Sequence, residues 1–201
     1  MKIKHYLIAS IFALTTLAGC KNGAENEELP PSASQETISA KIKQQKIEEN
    51  KKKLNSLMSR MMVTPELSKM SSAMVTAQMS DMLMTSKGPI TLFAPSNAAF
   101  EAISEENGKI LTDPGLRNAL TALLKNHMVE QDLSSADLLQ EVKHSGPKTL
   151  TTMGGSSLTV YLEDIDLFVK DVNGNSAKIG KSDIIASNGK VHVLDAVLTL
   201  K

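Results

Sequence analysis

The stretch Thr91-Leu92-Phe93-Ala94-Pro95-Ser96-Asn97-Ala98-Ala99-Phe100 decides the fold of this chain. Its first residues are apolar or β-branched and predict a short strand that a proline ends. Ser96 or Asn97 can cap the helix that follows, and Phe100 is its first predicted buried residue. Because the strand turns directly into a helix, we expect residues 62 to 201 to pack around this corner.

Methionines dominate the segment before the corner. Eight of the eleven lie between Met58 and Met84, at spacings that predict one helical face, with Pro65 at a helix start and Gly88-Pro89 after its end. The chain has no Trp, two Tyr and four Phe, so flexible thioether side chains are expected to fill the core, and aromatic stacking platforms are expected to be scarce. A soft Cu(I) site and an exposed surface for a partner are the alternatives.

Three helices are predicted after the corner. The first continues from Phe100 and ends at Asn107-Gly108, and the second starts at Asp113-Pro114, with Asp as cap and Pro at the first position. The third opens at Ser134-Ser135-Ala136-Asp137, which resembles a capping box.

From Gly146 onward the period of the apolar residues changes from helix to strand. The final segment, from Lys190 to Leu200, is apolar on both alternating sets, which predicts a strand buried on both faces and central in its sheet. The other predicted strands are Lys148 to Thr152, Ser157 to Leu162, Leu167 to Asp171, Ala177 to Ile179 and Asp183 to Ser187.

Three segments, in order, resemble signatures of the fasciclin domain family, also called FAS1 or beta-Ig-H3. The corner matches the first signature at Phe93-Ala94-Pro95-Ser96-Asn97 and Ala99-Phe100. The segment from Leu123 to Val129 is similar to the central one, and the segment from Asn188 to Leu198 is similar to the last. Asp183-Ile184 also fits the Asp-Ile that precedes the last strand of the family.

This resemblance implies an α+β fold, a wedge-shaped β-sandwich with helices packed along one side. It also implies structural motif residues, which are Phe93, Pro95, Asn97, Phe100, His127, Asp183, His192 and Asp195. The neighbourhood of Asn126 and His127 is linked to integrin adhesion in animal relatives, so these two residues form a candidate adhesion segment. Asn126 stands where the family commonly has Tyr.

The residues themselves do not predict a catalytic constellation. No Gly-x-Ser-x-Gly elbow or Gly-rich phosphate loop occurs. His127 and His192 are interpreted as core or capping residues. The alternative is that they bind a metal together with Asp183 or Asp195. Asp195 is expected to accept backbone hydrogen bonds from the Asn97 region. We expect no enzymatic activity, cofactor or metal. Residues 61 to 201 carry sixteen acidic residues against twelve Lys and Arg, a balance that excludes a nucleic-acid footprint.

The N-terminal sequence predicts export and attachment to a membrane. Lys2 and Lys4 precede an apolar run from Tyr6 to Leu17, which is short for a membrane span but typical of a signal peptide. Leu17-Ala18-Gly19-Cys20 then resembles the lipobox of bacterial lipoproteins. Residues 1–19 are therefore predicted to be a signal peptide and Cys20 a lipidated residue, an ordinary secretory signal with an incidental cysteine being the alternative.

Residues 20–54 are predicted to form a tether. Asn22 to Ser39 has almost nothing to bury and is expected to be a disordered spacer, whereas Glu36 to Lys53 supports a solvated helix. That helix is interpreted as a charged extension of the domain at residues 55–201. Contact between its lysines and anionic lipid headgroups or cell-wall polymer is the alternative.

Together these features predict a lipid-anchored protein of the bacterial cell envelope, at the outer membrane or cell surface. Its monomeric fasciclin-like domain is expected to bind a surface protein or polysaccharide. The alternatives are a periplasm-facing scaffolding lipoprotein and a hydrolase.

Overall fold

The computed structural model describes residues 33–103 and 105–198. Residues 33–40 fall in one unit and residues 41–198 in another. The helices are α1 (Ala33–Leu54), α2 (Leu57–Met62), α3 (Ser68–Thr76), α4 (Ser80–Thr85), α5 (Asn97–Glu101), α6 (Glu105–Thr112), α7 (Arg117–Lys125) and α8 (Ser135–Ser145). Short 3₁₀ turns at Pro65–Leu67 and Pro114–Leu116 lead into α3 and α7. The predicted signal peptide and Cys20 lie outside the described residues.

The first sheet contains β1 (Ile90–Pro95), β2 (Met128–Val129), β7 (Ile184–Ala186) and β8 (Gly189–Leu194), in the order β2-β1-β8-β7. β8 is central, as its two-sided apolar pattern predicts. It runs parallel to β1, with Phe93 beside His192 in the register. The first and last family signatures are therefore neighbouring strands, although about a hundred residues of chain separate them.

The second sheet is an antiparallel meander of β3 (Lys148–Thr151), β4 (Ser157–Glu163), β5 (Asp166–Lys170) and β6 (Ser176–Lys178). Its buried residues alternate along each strand with exposed or half-buried ones. One face is therefore covered, and the other is open.

Two apolar clusters lie on opposite faces of the first sheet. One joins α2, α3, α4, α5 and α7 to the face that carries Leu92 and Val191, and the other joins Phe93 and Leu194 to α8 and the second sheet. Most helices thus cover one side of the first sheet, while α8 packs against β3 and β4. This mixed arrangement of two sheets with helices is the α+β architecture that the resemblance implies.

The methionines do fill the helical core. Met58, Met61, Met70 and Met74 are all buried, whereas Met62 is exposed at the end of α2. The segment is not one helix but three, since Thr64-Pro65 and the left-handed Gln78 interrupt it.

Three predicted boundaries are wrong. Asn107-Gly108 lies inside α6 and does not end a helix, because a single glycine costs too little to stop one. The predicted spacer gives way to helix at Ala33, after Pro30-Pro31. β8 ends at Leu194, so Asp195 lies beyond the strand.

Within the described residues, no helix is both long and apolar enough to cross a membrane.

Candidate functional site

Ser96 and Asn97 have separate roles at the corner. The Ser96 hydroxyl accepts a hydrogen bond from the Ala99 backbone N–H, 3.1 Å away, and so caps α5. Asn97 instead holds the start of α3: its side-chain oxygen accepts from the Lys69 N–H at 2.9 Å, and its amide donates to the Pro65 carbonyl at 2.9 Å. The corner is therefore a structural joint between β1, α5 and α3.

The other corner residues named by the family signature are buried. Phe93 is completely buried between the two sheets, its ring 5.6 Å from that of His192. Phe100 lies on the opposite side, in the cluster beneath the helices. Pro95 is the last residue of β1 and is also buried. These buried side chains stabilise the corner and are not accessible to a ligand.

His192 ties the central strand to the segments on either side of it. Its Nε2–H donates to the Leu133 carbonyl at 2.8 Å, and its Nδ1 accepts from the Asp183 backbone N–H at 3.3 Å. Asp183 in turn accepts bonds from the backbone N–H and the hydroxyl of Ser135, at the first turn of α8. This network connects β8, the start of β7 and α8.

Ionisation of these groups follows from their contacts. Burial lowers the pKa of His192, although the Leu133 carbonyl and the Asp183 carboxylate oppose this shift. Burial acts to raise the pKa of Asp183, but the two hydrogen bonds from Ser135 and the charges of His192 and Lys190 together outweigh it, and the pKa is lowered. At neutral pH the pair is therefore a neutral imidazole beside a carboxylate.

The order of these groups does not form a nucleophilic triad. In a triad the histidine stands between the hydroxyl and the carboxylate and takes the proton of the nucleophile. Here Ser135 bonds directly to Asp183, and both nitrogens of His192 are used by backbone groups. The arrangement orients α8 and leaves no histidine base beside Ser135.

His127 and Asn126 lie inside the domain. His127 is 1% exposed, donates from Nδ1 to the Leu123 carbonyl at 2.9 Å, and accepts at Nε2 from the Leu198 N–H at 3.2 Å. Asn126 is 9% exposed, and its side-chain oxygen accepts from the Thr152 hydroxyl at 3.0 Å.

The residues of the predicted adhesion segment are thus largely enclosed by the folded domain. Both side chains are buried, because His127 bonds to the backbone of Leu123 and Leu198 and Asn126 bonds to the hydroxyl of Thr152. His127 holds the segment that follows β8, and Asn126 holds the loop after β3. A partner would meet other residues first.

Asp195 does accept a backbone hydrogen bond, but not from the Asn97 region. Its Oδ1 accepts from the Lys178 N–H at 2.7 Å, and this links the segment after β8 to the end of β6. The residue is exposed, contrary to the expectation of a buried strand position.

Asn188 has a role that the sequence does not reveal. The residue is buried and bonds to three elements. Its side-chain oxygen accepts from the Leu57 N–H at the start of α2, and its amide donates to the Leu83 carbonyl in α4. Its own carbonyl accepts from Ile90 at the start of β1. An Asn-Gly pair before an apolar strand predicts only a turn, and no local signal indicates such distant partners.

Metal-ligating side chains do not converge in the described part of the chain. No group of three or more His, Cys, Asp or Glu side chains there is placed to hold a metal ion.

A sequence profile of the fasciclin domain matches residues 65–200. The chain belongs to the fasciclin domain family. The match begins at the 3₁₀ turn before α3 and so includes the corner, both sheets and the two buried histidines.

Similar proteins come from bacteria and animals. Protein sll1483 of Synechocystis is 30% identical over 57% of this chain and 57% of its own length. Transforming growth factor-beta-induced protein ig-h3 of Sus scrofa is 33% identical over 63% of this chain but only 17% of its own length. Immunogenic protein MPB70 of Mycobacterium bovis is 30% identical over 55% of this chain and 50% of its own. The chain thus spans less than two thirds of each of these relatives.

A solved FAS1 domain pair from the insect cell adhesion molecule Fasciclin I has the same fold. It superposes with a TM-score of 0.65 at 18% identity, over 73% of this chain and 51% of that one. This confirms the FAS1-type α+β fold. Proteins with fasciclin domains are generally adhesion-related, structural or extracellular.

Proposed function

We propose that this chain is a lipid-anchored protein of the bacterial cell envelope whose fasciclin domain binds a surface protein or polysaccharide. It would act as a monomeric, non-enzymatic binding module, attached to the membrane through Cys20 and facing the outside of the cell. The observation that carries the binding role is the fasciclin match over residues 65–200, in a domain whose family-motif histidines serve structure.

The geometry supports a binding role over a chemical one. Both motif histidines, His127 and His192, use their ring nitrogens in hydrogen bonds that join elements of the fold. The carboxylate of Asp183 accepts from Ser135, and that of Asp195 accepts from the Lys178 N–H. The related domains occur in an insect cell adhesion molecule and in an immunogenic mycobacterial protein. Binding through exposed faces of the sheets and helices therefore fits this domain better than catalysis.

The anchor rests on the N-terminal sequence. A basic start, an apolar run, small residues and Cys20 follow one another as in bacterial lipoproteins. Acyl chains hold a protein at the membrane because each buried methylene contributes about 0.8 kcal/mol, and two or more chains give stable attachment. In this proposal, residues 21–32 are the part of the chain between Cys20 and the first described helix.

The substitution Cys20→Ser tests the anchor. We expect the wild-type chain in the membrane fraction, with a mature mass that begins at an acylated Cys20, and the variant released in soluble form without acyl groups. The matched control is Ser10→Ala, inside the apolar run, which should leave both mass and fractionation unchanged. A Cys20→Ser chain that stays membrane-bound would refute the lipoprotein assignment.

Protease added to intact cells tests the orientation. We expect cleavage of the domain from the cell surface, whereas full protection would favour a scaffold on the periplasmic side.

A further inference from the structure

The open face of the second sheet carries two of the chain's few aromatic residues side by side. The inward residues of β3 to β6, among them Leu150, Val160 and Val169, belong to the apolar cluster between the sheets. The alternate residues must point the other way. On that outward face, Tyr161 in β4 pairs directly with Phe168 in β5.

The aromatic pair is held in place by its neighbours. The two rings are stacked, with centroids 5.6 Å apart and planes 23° from parallel. The Tyr161 hydroxyl is 2.8 Å from the hydroxyl of Ser176 on β6, so its ring lies across the intervening strand. Both rings are half-buried, which leaves part of each in contact with solvent.

Polar groups surround the rings. Lys170 is exposed, its ammonium lies 5.4 Å from the centre of the Tyr161 ring, and it makes no ion pair within residues 33–103 and 105–198. In the strand register, Lys170 is paired with Thr159 of β4 on one side and with Ser176 of β6 on the other. Thr159 is in turn paired with Thr149 of β3. We name the set of Tyr161, Phe168, Lys170, Thr159, Thr149 and Ser176 the aromatic face.

We propose that the aromatic face binds an acidic polysaccharide built of pyranose rings that carry carboxylates. This inference rests on the proposed function and names its ligand class and site. The aromatic face would be one of the few aromatic platforms that the composition of this chain allows.

The chemistry of a sugar chain matches this face in three respects. The C–H side of a pyranose ring is apolar and packs on an aromatic surface, and two neighbouring rings can contact successive sugars of a polymer. Threonine and serine hydroxyls can each donate and accept, as sugar hydroxyls do. Lys170 supplies a cation for a uronate carboxylate. Because its side chain is exposed, such a carboxylate can draw the ammonium off the Tyr161 ring and uncover it.

Two competing roles for the aromatic face lead to different results. A cross-strand aromatic pair can serve only to stabilise its sheet, in which case its removal would lower stability and leave ligand binding unchanged. A nucleic-acid ligand is the other alternative, and binding of single-stranded DNA as tight as that of alginate would overturn the proposal.

Binding of the full chain, purified in detergent, to immobilised alginate and to neutral dextran tests the proposal. We expect the wild type to bind alginate at least tenfold more tightly than dextran. The double variant Tyr161→Leu/Phe168→Leu keeps apolar side chains on the strands and should lose at least tenfold in alginate affinity. Lys170→Gln should bind alginate and dextran equally.

Two controls separate this site from general effects. Lys143→Gln removes an exposed lysine from α8, and Ile185→Ser changes an exposed apolar side chain on the other sheet; both should bind alginate as the wild type does. Thermal unfolding of each variant verifies that it is folded.

The proposal is overturned if the wild type binds alginate no better than dextran, or if the double leucine variant, shown to be folded, retains wild-type affinity. Failure here does not remove the proposed function. Cells that still adhere through this chain after Tyr161→Leu/Phe168→Leu would retain a surface-binding module whose site lies elsewhere.

Discussion

His127 is kept neutral by its surroundings. Burial lowers its pKa from 6.5 to about 4, although its bond to the Leu123 carbonyl and the charge of Asp171 act in the opposite direction. In the neutral ring, Nε2 accepts the bond from Leu198. A proton on Nε2 would face that N–H and break the contact.

The stability of the domain should therefore fall in mild acid. The unfolded chain binds a proton on His127 more tightly than the folded chain does. The contribution of neutral His127 to the free energy of unfolding is therefore complete above pH 6.5 and is lost as the pH falls towards 4. The loss is on the order of 3 kcal/mol, since each pKa unit corresponds to about 1.4 kcal/mol. Denaturant unfolding between pH 7 and pH 4 measures it.

The matched variant for this prediction is His127→Gln. It should be less stable at neutral pH but show a shallower pH dependence over the same window. Some slope should persist, because burial also lowers the pKa of His192. An unchanged slope in His127→Gln would exclude His127 as its source.

Gly189 is a second residue whose identity the fold requires. It pairs with Ile90 where β8 meets β1, has φ of +155°, and a Cβ there would lie 1.8 Å from the Ile90 carbonyl oxygen. We expect Gly189→Ala to cost more than about 3 kcal/mol of unfolding free energy, because the two central strands must separate.

Gly174→Ala is the comparison for Gly189→Ala. Gly174, on the β5–β6 turn, also has positive φ, +88°, but no heavy atom lies within 4 Å of the place that a Cβ would take. Its substitution should cost only about 1 kcal/mol, which is the strain of the backbone alone. Chemical denaturation measures the unfolding free energy of both variants. Equal losses of unfolding free energy would show that the close approach of Ile90 is not the reason why position 189 requires glycine.

For single residues, the sequence predicts helix caps better than it predicts burial or contacts with distant parts of the chain. Ser96, Asp113 and Ser134 are predicted helix caps, and each does accept the bond that its position predicts. The same rules cannot tell that Asn126 is buried or that Asn188 joins α2 to α4. Caps are local, whereas those contacts depend on residues far along the chain.

At the scale of elements, α6 shows how a local signal can mislead. Asn107-Gly108 is a common helix end, but α6 continues through it from Glu105 to Thr112. Because no heavy atom lies within 4 Å of where a Cβ at Gly108 would be, alanine can be accommodated there.

Gly108→Ala should therefore stabilise the domain by about 0.5–1 kcal/mol, by reducing the backbone freedom that the unfolded chain loses on forming the helix. A higher midpoint of chemical denaturation with unchanged slope is the expected result. A lower midpoint would mean that α6 does not extend through this position in solution.

The strands of the second sheet can be predicted to within one or two residues, because their alternating pattern and glycine turns are local. The short β2 escapes prediction, since two residues carry no period. The parallel pairing of β1 with β8 also has no local signature. The apolar residues on both sides of β8 predict its central place in the sheet but not its partner strand.

In the molecule as a whole, the charge is distributed unevenly along the chain. Residues 41–54 at the end of α1 carry six lysines and two glutamates, whereas residues 61 to 201 carry more acidic than basic residues. The described side chains from Thr37 to Leu54 are all exposed. An exposed, lysine-rich segment next to an acidic domain is what we expect of the anchored binding module that we propose.

We propose that the anchored chain holds a cell to an external ligand through its fasciclin domain. The decisive experiment compares wild-type and Cys20→Ser strains for the retention of cells under flow on a surface coated with extracellular matrix from the same bacterium. We predict that wild-type cells are retained, that Cys20→Ser cells are washed away while releasing a folded chain, and that this released chain blocks wild-type retention. Equal retention of the two strains would contradict the claim.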